Sequence, residues 1–165
     1  MPSTYTPIAT TTLGSDTASY TFTSIPSTYT DLIIVASAQR AISGSGGAGT
    51  IQVNGDGGSN YSSTLLYNDG ATVYSYRWSN QTTMNAAFNA ADSSYGVNTI
   101  HIMNYANTTT YKTILSRYGW PASNDRVATG VNLWRSTSAI TSITLSAASN
   151  IKAGSTFTLY GIQAA

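Results

Sequence analysis

The chain has no cysteine, no glutamate, four prolines and only two lysines (Lys112 and Lys152) among its 165 residues. Lack of cysteine excludes a disulfide framework, a zinc finger and thiol chemistry. Charged residues make up 8% and the net charge is +1, which leaves no electrostatic footprint for nucleic acid or an anionic membrane. The longest aliphatic run, Leu32 to Ala36, is far too short to span a bilayer. Met1-Pro2 opens without the basic and apolar stretches of a secretory signal, so a soluble chain is expected. The scarcity of charge also removes the usual helix formers.

What remains is hydroxyl-rich and aromatic. Serine and threonine make up about 30% of the chain, beside 12 tyrosines and three tryptophans. Threonine, isoleucine, valine and tyrosine suit a pleated, half-buried surface. Short runs of them recur between Gly, Asn, Asp, Ser and Pro clusters, the spacing of an all-β sandwich. Expected strands are Tyr5–Leu13, Ser19–Ser24, Leu32–Gln39, Thr50–Val53, Ser62–Tyr67, Val73–Trp78, Asn98–Asn104, Tyr111–Tyr118, Val127–Arg135, Ile143–Ser146 and Thr156–Ile162. Alternation puts Tyr20 and Phe22 on one face, and sets Phe157 and Leu159 opposite Tyr160 and Ile162. Leu32-Ile-Ile-Val35 lacks alternation and reads as a central strand covered on both faces. Asn54-Gly-Asp-Gly-Gly58 and Asn68-Asp-Gly70 read as turns, and Asn85–Ser94 as a short helix or an irregular crossing. No linker divides the chain, so residues 1–165 are expected to form one sandwich domain.

The motifs that could carry chemistry are weak. Gly44-x-Gly46-x-x-Gly49 matches a dinucleotide fingerprint, but strand-like Thr50–Val53 follows where a helix N-terminus must receive the pyrophosphate. Asn54 and Asp56 resemble the start of a calcium loop that lacks its bidentate acid, so a backbone turn is the better reading. His101, the sole histidine, alternates with Ile100 and Ile102 on a strand, and no Gly-x-Ser-x-Gly elbow accompanies it. Asp16, Asp56, Asp69, Asp92 and Asp125 sit in turn contexts and Asp31 begins a strand, which argues against paired catalytic carboxylates. Trp78, Trp120 and Trp134 could stack on sugars, though core or interface packing is the simpler role; Trp120, before Pro121, reads as an exposed loop contact. The expectation is a non-enzymatic protein without metal or cofactor.

Tyr5-Thr-Pro-Ile-Ala-Thr10 with Leu13 and Tyr20-Thr-Phe-Thr-Ser-Ile-Pro-Ser-Thr-Tyr-Thr-Asp-Leu-Ile-Ile-Val35 resemble a module of tailed-phage structural proteins, especially of phages with cyanobacterial and aquatic hosts. Val53-Asn-Gly-Asp-Gly-Gly-Ser-Asn-Tyr-Ser62, Asn104–Thr113, Leu133–Leu145 and Ala153–Ile162 resemble its turn and later strands, so the likeness runs through nearly the whole chain. It implies a jelly-roll-like antiparallel sandwich of two packed sheets that assembles as a homotrimer. It further implies a capsid decoration (cement) protein on the virion surface bound to the major capsid protein, or a tail-fibre tip domain that reads a glycan receptor. A chain without room for a shaft suits the decoration role, on a local three-fold axis of the shell. Tyr5, Trp78, Tyr118 and Trp120 are the interface candidates.

Overall fold

A computed structural model describes residues 4–41, 48–91, 94–120 and 126–163. All regular structure among them is β, in two packed antiparallel sheets, as the composition leads one to expect. The larger sheet has eight strands: β1 (Tyr5–Thr12), β3 (Asp31–Ala38), β5 (Tyr61–Asn68), β6 (Val73–Gln81), β8 (Gly96–Ile102), β9 (Lys112–Trp120), β10 (Arg126–Trp134) and β12 (Thr156–Ile162). The smaller has four: β2 (Thr17–Phe22), β4 (Gly49–Val53), β7 (Met84–Phe88) and β11 (Ile143–Ile151). Spatial orders are β1-β12-β3-β8-β9-β10-β5-β6 and β2-β11-β4-β7.

The pairings nest. β1 pairs with β12, β2 with β11, β3 with β8 and β4 with β7, each antiparallel. This is the pattern of one long ribbon folded back on itself and rolled, so that successive segments fall in alternate sheets. β5–β6 interrupts the ribbon at its bend, and β9–β10 interrupts it between β8 and β11. Both insertions widen the larger sheet, which therefore extends beyond the smaller one.

Side-chain alternation fills the space between the sheets. Leu32 and Ile34 of β3, Ile100 and Ile102 of β8, and Phe157 and Leu159 of β12 meet Phe22, Ile51, Met84, Phe88, Ile143 and Leu145 from the smaller sheet. Tyr20 packs beside Phe22 edge-on at 4.9 Å and stacks on Phe157 at 5.3 Å. A smaller cluster, Leu65, Ala86, Tyr118 and Ala128, lies under the extension. A polar belt separates the two clusters. Along β9 the inward residues run Ile114, Ser116, Tyr118; along β5 they run Tyr61, Ser63, Leu65; on β10 Asn132 precedes Trp134. Asn132 Nδ2 donates to Ser116 Oγ at 3.3 Å and Ile114 O at 3.4 Å, satisfying part of the belt.

The structure corrects two expectations here. Asn85–Ser94 does not begin as a helix or a crossing: Met84–Phe88 is strand β7, with Ala86 at φ 54°. Its alanines and asparagines are poor strand formers, but a place against β4 and over the smaller cluster overrides propensity. Leu32–Val35 is central in pairing, between β12 and β8, yet covered on one face only: Leu32 and Ile34 are buried while Val35 is 41% exposed. Both turns form as read, with Asn54 and Gly55 at φ 52° and 64° and Gly70 at φ 88°. The glycine motif Gly44–Gly49 lies mostly outside the described residues; its last glycine leads β4.

Candidate functional site: an apolar sheet face and an aromatic edge

The two outer faces differ in chemistry. On the smaller sheet the register aligns Thr21, Thr144 and Gln52 in one row and Ser19, Ser146 and Thr50 in the next. These are hydroxyls and an amide, and Thr21 and Thr144 share a hydrogen bond of 2.9 Å. On the larger sheet one row reads Val35, Thr99, Arg117, Thr129 and Leu66, and its neighbour Val97, Gly119, Val127, Asn68 and Val73. Leu115 and Val131 pair in a third row.

Val97, Val127 and Val131 are 59%, 62% and 53% exposed, far more than single apolar side chains need to be. Clustered, they form the kind of contiguous patch that marks an interaction surface. A groove of about 660 Å³ runs over it, lined by Leu66, Val73, Val97, Arg117, Gly119 and Val127. A Cβ at Gly119 would meet nothing closer than 3.7 Å, so the glycine opens the groove and relieves no clash. Charge is sparse. Asp31 is engaged by His101 Nε2 at 3.1 Å and by the Asn104 N–H at 2.7 Å, while Arg77 and Arg117 make no ion pair among the described residues.

The inner side of the extension carries an aromatic ladder. Tyr74, Tyr76 and Trp78 alternate along β6, and Tyr67 of β5 stacks on Tyr74 at 4.7 Å and on Tyr76 at 5.9 Å. Tyr76 stacks on Trp78 at 5.7 Å. The rings cover one another's faces. A sugar needs an open ring face, so the ladder is better suited to protein contact than to glycan.

The four interface candidates separate. Tyr5 is 52% exposed at the start of edge strand β1, edge-on to Tyr160 at 6.3 Å. Trp78 is half-buried at the end of the ladder. Tyr118 is not a surface residue: it is 4% exposed in the smaller cluster, and burial holds its phenol well above the usual tyrosine range. Its place in the alternation of β9, between Arg117 and Gly119, turns it inward. Trp120 ends β9, in register with Arg126, not in a loop; its side chain lies outside the described residues. Trp78 packs against the buried cluster that holds Tyr118, while Tyr5 lies on β1, at the opposite edge of the larger sheet from β6. The valines of the outer face were missed, because their adjacency depends on pairings between strands far apart in sequence.

The residues weighed for chemistry have structural partners. Asp56 accepts from Trp134 Nε1 at 2.7 Å, Asn60 Nδ2 at 2.9 Å and the Gly58 N–H at 2.8 Å. These bonds, the indole's foremost, hold its carboxyl below the usual range. Asp69 Oδ1 accepts the Ala71 and Thr72 N–H groups, as a turn aspartate should. Asp16 accepts from the Ala153 N–H instead, across the sheet ends. Asp92 and Asp125 lie outside the described residues. Among the described residues no three ionisable metal ligands come together. No family model, curated protein or solved structure matches the chain.

Proposed function

We propose that this chain is a non-enzymatic structural module of a tailed-phage particle, a capsid decoration protein that binds the major capsid protein as a homotrimer. The observation that carries the proposal is the contrast between the two outer faces: one of hydroxyls and an amide, the other with a patch of exposed valines and a groove whose one charged lining residue is Arg117. A decoration protein needs that polarity, with an adhesive side toward the shell and a hydrated side toward solvent. The nested pairing of eight strands also fits the jelly roll that the resemblance implies, with β5–β6 and β9–β10 as inserted hairpins. Binding the assembled shell and not its free subunits stabilises the shell by linkage. Contacts of this composition should change little between low and moderate salt.

The experiment is localisation. Particles labelled on this protein and imaged by electron microscopy should show density over the whole head. Density confined to the tail would replace this reading with a receptor-binding tip domain, for which glycan binding is then the assay. Absence from the particle would end both.

A further inference from the structure

A sheet edge is adhesive unless something guards it, and three of the four edges here are guarded. β1 carries Pro7 and a register break between Pro7 and Ala9. β2 is six residues long, and its pairing with β11 breaks after Ser146. β7 is five residues long, and its pairing breaks between Gly49 and Thr50 of its partner. β6 is different. It spans nine residues and pairs, among the described strands, with β5 alone; its register holds over six residues, from Val73 to Trp78, and breaks only beyond them, before Gln81. It has no proline, lysine or acid, and its one charge is Arg77.

We propose that β6 pairs with β6 of a second copy of this chain, antiparallel about a two-fold axis at Tyr76. Self-complementarity selects the copy and the register. Continuing the sheet requires inward residues to face inward residues, so the axis must pass through a residue position. An axis at Arg77 sets the two arginines opposite each other, which is unfavourable. An axis at Ser75 leaves Trp78 opposite Thr72, outside the ladder. An axis at Tyr76 puts Tyr76 against its counterpart and Tyr74 against Trp78, and it sets Arg77 against Ser75. Each of the three ladder rings then meets a ring, and neither arginine meets a charge. The 44% exposure of Tyr76 is reduced and Trp78 is covered further, while on the outer face the two subunits meet across Ser75 and Arg77. The pairing stands apart from the decoration role. In a shell built from trimers it would join neighbours across local two-fold axes.

The native chain has no cysteine, so single cysteines report without background. In a glutathione redox buffer, Tyr76→Cys should form a covalent dimer, because residues directly opposite lie ~4.5–5.5 Å apart, within disulfide reach. Val73→Cys is the control. Val73 is more exposed, at 61%, but would lie ~20 Å from its counterpart at ~3.4 Å per residue over the six positions between them. No dimer from Tyr76→Cys, or equal dimer from Val73→Cys, would overturn the proposal. Charge gives a second reading that leaves the rings intact, since Ser75 is exposed on the outer face. In sedimentation equilibrium Ser75→Asp should strengthen self-association and Ser75→Arg weaken it, each by roughly two- to thirty-fold for two cross-strand pairs. Equal behaviour of the two variants would also overturn it. So would a wild-type protein that stays an isolated monomer or an isolated trimer at high concentration.

Discussion

The Trp134 indole donates to Asp56 Oδ2 at 2.7 Å, joining the end of β10 to the turn that follows β4. Asn60 and the Gly58 N–H complete the carboxylate's shell, so its charge is needed where it sits. Asp56→Ala should cost about 1–3 kcal/mol, the range for leaving such donors without their acceptor. Because the folded pKa is depressed, this stabilisation is present above the unfolded value and is lost as pH falls through the folded one. Urea midpoints measured from pH 6 to pH 2 should therefore fall more steeply for wild type than for Asp56→Ala. Parallel curves would remove Asp56 from the acid response.

Alkali should act through buried phenols. Tyr61 is fully buried, lies within hydrogen-bond reach of the Val53 and Asp56 carbonyls, and accepts from the Val53 N–H. Burial pushes its pKa up to about 12, and burial raises Tyr105 and Tyr118 as well. A raised folded pKa means stability that is full below pH ~10 and lost as pH climbs from there toward the folded value. Thermal midpoints should decline over that interval, and Tyr61→Phe should make the decline shallower while lowering the midpoint at neutral pH. Parallel declines for wild type and Tyr61→Phe would contradict this.

Eleven of the strands follow from β-branched and aromatic runs bounded by turn residues, because those signals are local. β7 escaped because Met-Asn-Ala-Ala-Phe has no strand character of its own; its conformation comes from β4 and the cluster above it. The exposure of Val35 is hidden for the opposite reason: an apolar run reads the same whether its second face meets protein within the chain or is left open. Tyr118 and Val127 illustrate the limit for the site. Which of them faces out follows from the pairing of β9 with β10, and that the outward valines gather follows from the whole strand order. No local window contains that information.

Gly161 shows where close approach dictates a residue. It lies on β12 opposite Leu32, and a Cβ there would run into the Tyr29 ring. Gly161→Ala should therefore cost about 1–3 kcal/mol, as overpacking does. Tyr29→Ala should recover most of that loss in the double variant, giving a coupling that independent sites lack. The check is a double-mutant cycle on urea midpoints; additive losses would show that the ring is not the obstacle.

The outer face makes the opposite prediction, in which stability is spared and adhesion is lost. Val97 and Val127 flank Gly119 and are largely exposed already, so polar replacements remove little buried area. The Val97→Ser/Val127→Ser double variant should keep its unfolding free energy within about 0.5 kcal/mol per site, as surface changes usually do. It should nevertheless bind an apolar fluorescent dye less and, on the proposed decoration role, fail to attach to particles that lack the protein. Gly119→Val should block attachment by filling the groove, since the glycine has room for a side chain. Thr21→Ala, on the hydroxyl face of the smaller sheet, should leave attachment unchanged. If Thr21→Ala weakens attachment while the groove variants do not, the adhesive side lies on the smaller sheet and the valine face needs another explanation.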